Sequence, residues 1–343
     1  MVQGLLLAAA VPALALALPA AVFHLVPPRP ASVPIKGRHV FVTGGSYGIG
    51  LAIAKRAAAE GAAKVSLLAR GLDKLEAARE EILRDTSCRE VAIFSVDVRE
   101  EGAVKRAVEA AGPIDVLICN HGVFFPIELE NQDTEEIKLT LDVNLMGNFH
   151  LIKAALPTMK AGASASAPRS IAIISSQAGQ VGIYGYAAYS ASKFALRGLA
   201  ESLQQELIGH NVHVSLVFPP DTETPGFAEE VKRRPEATAA IASSSGAMTA
   251  AAVAEKVLRG IKAAAFTVTC NFEGVMLSLA TAGMSSQRSW AMALAEILGS
   301  GFMRFLGIYY QYSWYRTIAR CQGKQKNKKR GPIYKGLSYV IFN

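Results

Sequence analysis

The sequence predicts an α/β chain built on one doubly wound parallel sheet, with hydrophobic segments at its two ends. Three observations lead there. Short continuous apolar runs alternate with amphipathic helical stretches between residues 38 and 270. A glycine-rich turn follows the first of those runs and opens the first helix. Residues 4 to 26 carry no permanent charge and are mostly Leu, Ala and Val. Unbroken apolar strands between helices belong to sheets covered on both faces, where connections are right-handed by default.

The first apolar run is His39-Val40-Phe41-Val42, and a helical pattern follows over residues 49–60. Further strands are read at 64–69, 91–96, 115–119, 170–175, 212–218 and 266–270, with a charged helix at 73–84. Two stretches read as loops: 162–168, small and rich in Ala and Ser, and 221–247, with Pro225, Pro235 and a run of three serines. Four units follow: an N-terminal membrane anchor over 1–30, a nucleotide-binding catalytic domain over 36–270, a hydrophobic membrane-associated region over 271–320, and a basic tail over 321–343. The length of 343 residues suits one large domain with extensions, and an apolar share of 51% is ample for its core.

The N-terminal segment exceeds the roughly 20 residues that cross a bilayer as a helix. It lacks a basic start, and Pro27, Pro28 and Pro30 crowd the place of a cut, so an anchor is expected rather than a cleaved signal. Arg29, Lys36 and Arg38 follow it and no charge precedes it, which places the N-terminus in the lumen and the catalytic domain in the cytosol. The second apolar region, about 275–315, is interrupted by Gln287, Arg288, Glu296 and Arg304. A simple span and a surface-lying or re-entrant helix pair are both open there.

The net charge of +8 is concentrated near the C-terminus in Lys324, Lys326, Lys328, Lys329 and Arg330. Such a run suits an anionic membrane face or a solvated tail, and no nucleic-acid partner is expected. Cys88, Cys119, Cys270 and Cys321 lie far apart with no Cys-x-x-Cys, so neither a metal site nor a disulfide framework is expected, which fits a reducing compartment. His121 stands beside the nucleotide motif without an evident partner and reads as structural. His210 and His213 flank a strand start and read as exposed.

The glycine turn is Thr43-Gly44-Gly45-Ser46-Tyr47-Gly48-Ile49-Gly50. Placed between strand and helix it is a Rossmann-type dinucleotide site: glycines let the backbone approach the pyrophosphate, and the helix N-terminus supplies N–H donors. Gly44, Ser46, Tyr47, Gly48, Ile49 and Gly50 are its candidate contacts. An NAD site carries an acid at the end of the second strand. This chain reads Leu67-Leu68-Ala69-Arg70, so Arg70, with Lys74 one turn on, is expected to pair with a 2′-phosphate, which makes NADPH the expected cofactor.

Tyr189 and Lys193 are four residues apart, on one face of a helix. An ammonium there should lower the pKa of a phenol and suit it to proton transfer. With Asn144, Ser176 and Asn120-His121-Gly122 in order behind the glycine loop, the chain resembles the short-chain dehydrogenase/reductases over about 38–270. The resemblance implies Tyr189 as proton donor, Lys193 on the nicotinamide ribose, Ser176 on the carbonyl oxygen and Asn144 fixing a water. It also implies Asp97 at the adenine and Asn120 at the cofactor. Ser175 is the alternative serine.

Where the family usually has Pro-Gly and then threonine, this chain reads Phe218-Pro219-Pro220-Asp221-Thr222-Glu223-Thr224-Pro225-Gly226-Phe227. That stretch and Ser175-Ser176-Gln177-Ala178-Gly179-Gln180 resemble the 3-ketodihydrosphingosine reductases of sphingolipid synthesis. The resemblance implies a long-chain 3-keto amine as substrate, an endoplasmic reticulum membrane with the catalytic domain facing the cytosol, and leaves a homo-oligomer open. The alternatives are a membrane-bound hydroxysteroid or retinoid reductase and a non-catalytic NADPH-binding scaffold. The Tyr189–Lys193 pair argues against the scaffold.

Overall fold

The computed structural model describes residues 17–26, 32–207, 209–243 and 246–329. Seven strands form one sheet: β1 (His39–Thr43), β2 (Lys64–Ala69), β3 (Glu90–Ser95), β4 (Val116–Cys119), β5 (Arg169–Ile174), β6 (Val212–Phe218) and β9 (Thr267–Thr269). Their order is β3-β2-β1-β4-β5-β6-β9, and every pair is parallel. The order reverses between β1 and β4, and the crevice at the carboxyl ends of those strands is where such sheets bind ligands.

Alternation along each strand divides the core. Val40 and Val42 face helices α1 (Gly48–Ala59), α2 (Leu72–Asp85) and α9 (Ala250–Lys262), packing on Ile53, Leu75 and Val257. Phe41 faces the other way, with Leu117 and Ile173, onto α3 (Glu101–Ala111), α5 (Gly147–Gly162) and α6 (Ala187–Leu207), meeting Val104, Leu151 and Leu196. β1, β4, β5 and β6 are buried along their whole length, which is why they read as continuous apolar runs.

The stretch 221–247, expected as a loop, is mostly ordered secondary structure. It holds β7 (Thr222–Glu223), α7 (Pro225–Arg233) and α8 (Glu236–Ala242), after which β8 (Met248–Thr249) pairs with β7. Its prolines are not helix breakers, because Pro225 occupies a first-turn position, where its missing N–H costs nothing. Thr224 caps that helix, its hydroxyl oxygen accepting from the Phe227 N–H at 3.1 Å.

Two helices follow the sheet. α10 (Phe272–Ala280) packs beside β9, and α11 (Trp290–Lys329) runs forty residues without a break. The region 275–315, open between a simple span and a helix pair, therefore holds most of the short α10 and much of the long α11, and the boundary expected at 320 falls inside α11. Among the described residues, the part Trp290–Lys324 is long and apolar enough to cross a membrane, with mean hydropathy 1.4 and 11% of that window buried. Trp290, Phe302, Phe305, Tyr309 and Tyr312 are all exposed along it.

Of the N-terminal segment, residues 17–25 are helical, and Phe23 meets Trp290 edge to face at 6.5 Å. Residues 1–16 and 27–30 of the expected anchor and residues 330–343 of the expected tail lie outside the described residues. His213, expected exposed, is 7% exposed. Its ring nitrogen lies 3.2 Å from Arg288 Nη1, and burial with that cation beside it pushes its pKa down to about 4.

Candidate active site

The glycine turn and the end of β4 are stitched together by backbone contacts. Gly44 and Gly48 have φ of +60° and +61°, a region that L side chains rarely enter. Gly50 has an ordinary φ, but a Cβ there would run into the Gly44 carbonyl oxygen and the Asn120 amide. Asn120 donates its side-chain N–H to the Thr43 and Gly44 carbonyls at 3.2 and 3.4 Å, and its own backbone N–H to Thr43 Oγ1 at 2.9 Å. His121 has the partner that was not evident in sequence: its Nδ1 shares a hydrogen bond of 2.8 Å with Thr43 Oγ1. Burial holds it neutral, with its pKa pushed down to about 3. Ser46 is buried, while Tyr47 is 48% exposed at the helix start.

Arg70 is exposed, immediately after β2. Lys74 lies over the Tyr47 ring, 5.4 Å from its centroid. Asp97, expected at the adenine, has its carboxylate engaged by Arg99 through contacts of 2.8 to 3.1 Å, which hold its pKa below the usual range.

Asn144 is fully buried in a five-residue π-turn, Asp142–Met146, between α4 (Thr134–Leu141) and α5. Its amide accepts from the Val123 N–H at 2.7 Å and donates to the Val123 carbonyl at 2.9 Å and to Ser192 Oγ at 3.0 Å. The side chain thus clamps the segment after β4 to α6, and both amide hydrogens are committed to protein.

The two serines after β5 separate cleanly. Ser175 turns inward and donates to the Lys193 carbonyl at 3.0 Å. Ser176 caps a short 3-10 turn, accepting from the Ala178 N–H at 3.1 Å, and its hydroxyl acts on the Tyr189 phenol in the direction of a lower pKa. Lys193 is buried and donates to the Ile174 carbonyl at 2.9 Å, and its ammonium lies 5.7 Å from the centroid of the Tyr189 ring. Desolvation pushes its pKa down to about 8.

The expectation that Lys193 lowers the Tyr189 pKa is not met. Burial raises that pKa, Glu230 and Asp221 add to the rise, and Ser176 and Arg234 are what offset it.

Tyr189, Ser176, Lys193, Asn120 and Ile49 line one cavity of about 240 Å³. Several other walls were missed in sequence. Phe124 stands edge to face on Tyr189 at 6.2 Å, and Tyr186 lies 5.6 Å from it, ring centroid to ring centroid. Glu230 and Arg234 come from α7 and its end, and Trp314 comes from α11. The i,i+4 spacing of Glu230 and Arg234 was a legible signal, but it lay in a stretch read as loop.

The family description "short chain dehydrogenase" matches residues 38–235. A 3-dehydrosphinganine reductase of Arabidopsis thaliana is 55% identical over 296 residues, covering 86% of this chain and 90% of the relative. A 3-dehydrosphinganine reductase of Danio rerio is 37% identical, covering 89% and 92%. Among solved structures, a short chain dehydrogenase/reductase from Burkholderia phymatum in complex with NAD superposes with a TM-score of 0.64 at 24% identity, over 72% of this chain and 94% of that one, a likeness of fold.

Proposed function

The chain belongs to the short chain dehydrogenase family and is an oxidoreductase, and we propose that it reduces 3-ketodihydrosphingosine to sphinganine with NADPH. The observation that supports the chemistry is the cavity that Tyr189, Ser176 and Lys193 line together with Ile49 of the first helix and Asn120 after β4. The substrate is taken from the names of the relatives.

The residues present fit the cofactor. Gly50 lets the helix start pack directly against the Gly44 carbonyl, where a Cβ would collide, the Asn120 amide holds the turn, and Arg70 and Lys74 offer cations to a 2′-phosphate where an NAD site would carry an acid. Bound there, NADPH supplies the hydride. Ser176 positions the substrate carbonyl oxygen by a hydroxyl hydrogen bond and stabilises the charge that develops on it. Tyr189 gives that oxygen its proton as general acid. Lys193 binds the ribose and supports proton replacement at Tyr189. Asn144 holds the Val123 backbone and Ser192, fixing the wall on which Lys193 rests.

The membrane reading follows from α11. Its exposed apolar flank is a candidate span, and Trp314 on the same helix lines the catalytic cavity. An amphiphile bound at Tyr189 then has its tail directed toward the surface that meets lipid, in an endoplasmic reticulum membrane with the catalytic domain in the cytosol. Each methylene buried on the way contributes about 0.8 kcal/mol, so turnover should rise with chain length.

The test is an assay of the purified full chain with NADPH against short- and long-chain 3-keto amines, a hydroxysteroid-type ketone and a retinoid carbonyl. Long-chain keto amines should be reduced fastest. Efficient turnover of the steroid or retinoid with none of the keto amine would overturn the substrate and leave the reductase chemistry standing.

A further inference from the structure

The charged lining of the catalytic cavity does not balance. Asp221, Glu230 and Glu273 contribute three acids, against Lys193 and Arg234. Lys193 is turned to the Ile174 carbonyl. Arg234, whose side chain is 7% exposed, is shared by two carboxylates: both oxygens of Asp221, at 2.6 and 2.7 Å, and Oε1 of Glu230. It is also stacked on Phe227, 5.0 Å from the ring centroid, so it has no freedom to follow either acid.

The two carboxylates are not used alike. Asp221 spends both oxygens on Arg234. Glu230 receives the Tyr186 hydroxyl and Arg234 Nε and Nη2, all on Oε1, and among the described residues its Oε2 takes no hydrogen bond. The Glu230 side chain is only 11% exposed. Its Oε2 is not among the fully buried unpartnered atoms, so a donor entering the cavity can reach it. The local excess of one negative charge makes a cation the ligand that completes it.

The position of this group matters as much as its charge. Tyr186, which holds it, is three residues before Tyr189, and their rings are 5.6 Å apart. A carboxylate tied to the Tyr186 hydroxyl therefore stands beside the phenol that would protonate the substrate. The Tyr189 phenol feels it, because the charges of Glu230 and Asp221 hold its proton more tightly. A cation arriving between them would relieve that hold.

We propose that Glu230, fixed by Tyr186 and Arg234, is a specificity residue that binds a substrate ammonium group on the carbon next to the carbonyl being reduced. The inference rests on the reading that the substrate is a 3-keto amine, and it adds what that reading lacks, the residue that selects the amine. Arg234 acts as a positioning residue, since it is saturated by carboxylates and holds Glu230 by its Oε1 alone, leaving Oε2 for a ligand. The same geometry disfavours ketones of equal length without the amine, because they bring no donor to the second oxygen of Glu230.

The experiment compares kcat/KM for a long-chain 3-keto amine and for its deamino analogue, the same hydroxy ketone with hydrogen in place of the amine. The wild-type chain should favour the amine by about 30-fold or more, which is about 2 kcal/mol at 1.4 kcal/mol per decade. Glu230→Gln should bring the ratio to within about threefold of one, and Glu230→Asp should retain most of it. The ratio does not depend on the folded fraction, so a partly unfolded variant still reports. Should Glu230→Gln yield no folded protein, the wild-type ratio alone decides, and equal use of both ketones overturns the proposal. An unchanged ratio in Glu230→Gln also overturns it, since that is what a merely structural role predicts. Failure of the wild type to reduce either ketone would instead sink the 3-keto amine reading on which the inference stands, whereas good turnover with no preference sinks the inference only.

Discussion

The two halves of the catalytic cavity are held in different ways. On the cofactor side, the turn after β1 and the end of β4 are joined by Thr43, Asn120 and the backbone of Gly44, with two glycines at positive φ and a third that leaves no room for a side chain. On the substrate side, α7 and α8 are held by side chains: Arg234 between Asp221 and Glu230, Tyr186 on Glu230, and Thr238 donating to the Tyr184 carbonyl at 2.7 Å. The first half is shaped by what backbone atoms can approach. The second is shaped by which charges meet. A cofactor common to many reactions suits the first arrangement, and a substrate that distinguishes one enzyme from its relatives suits the second.

Tyr189 lies where the halves meet, and its loss should have the largest effect. Tyr189→Phe should lower reduction of a long-chain 3-keto amine by ~10²-fold or more, in the range of a placed general acid, while NADPH binding measured by fluorescence stays near wild type. Retained activity would remove the proposed mechanism and leave the two halves without a shared reaction.

The cofactor half should be intolerant of a single methyl. Gly50→Ala pushes a Cβ into the Gly44 carbonyl and the Asn120 amide, so the turn must shift. NADPH affinity should fall by ~10-fold to ~100-fold, on the reasoning that a displaced turn loses more than one charge-assisted hydrogen bond of ~1.5 kcal/mol or more. Wild-type affinity in that variant would show that the turn is not governed by close backbone approach.

The smallest expected effect sharpens the comparison from the other side. Arg70 is exposed and belongs to no backbone clamp. Arg70→Ala should weaken NADPH binding by ~10-fold, about the worth of one charge-assisted phosphate contact in water, and leave NADH binding within about twofold. Equal losses for both cofactors would mean that Arg70 supports the loop rather than reading the 2′-phosphate.

What was legible in the sequence follows the same division. The doubly wound sheet, the strands β1 to β6 and the glycine turn could be read because local rules govern them: buried parallel strands are continuously apolar, and a strand–glycine–helix junction has few solutions. The order of Asn144, Ser176, Tyr189 and Lys193 was likewise readable, since spacing along a helix places Tyr189 and Lys193 on one face. The stretch 221–247 was not, because its two prolines signal a turn locally while one of them also fits the first position of a helix, and Thr224 decides between those outcomes only by capping.

Other features depended on packing between distant elements. Nothing in the sequence around His213 says that Arg288 and the sheet will bury it, and nothing around Lys193 says that its ammonium will donate to the Ile174 carbonyl. Desolvation and hydrogen-bond direction belong to the assembled core and not to a residue's neighbours in the chain. By itself the sequence determined the sheet and the nucleotide turn, because each is specified by patterns within a few residues, and it offered the candidate site residues through their order along the chain. The tertiary structure alone decided that the Ser175 hydroxyl is spent on the Lys193 carbonyl, that Trp314 of α11 lines the cavity, and that Glu230 lines it beside Tyr189, because those are meetings of elements from eighteen to more than a hundred residues apart.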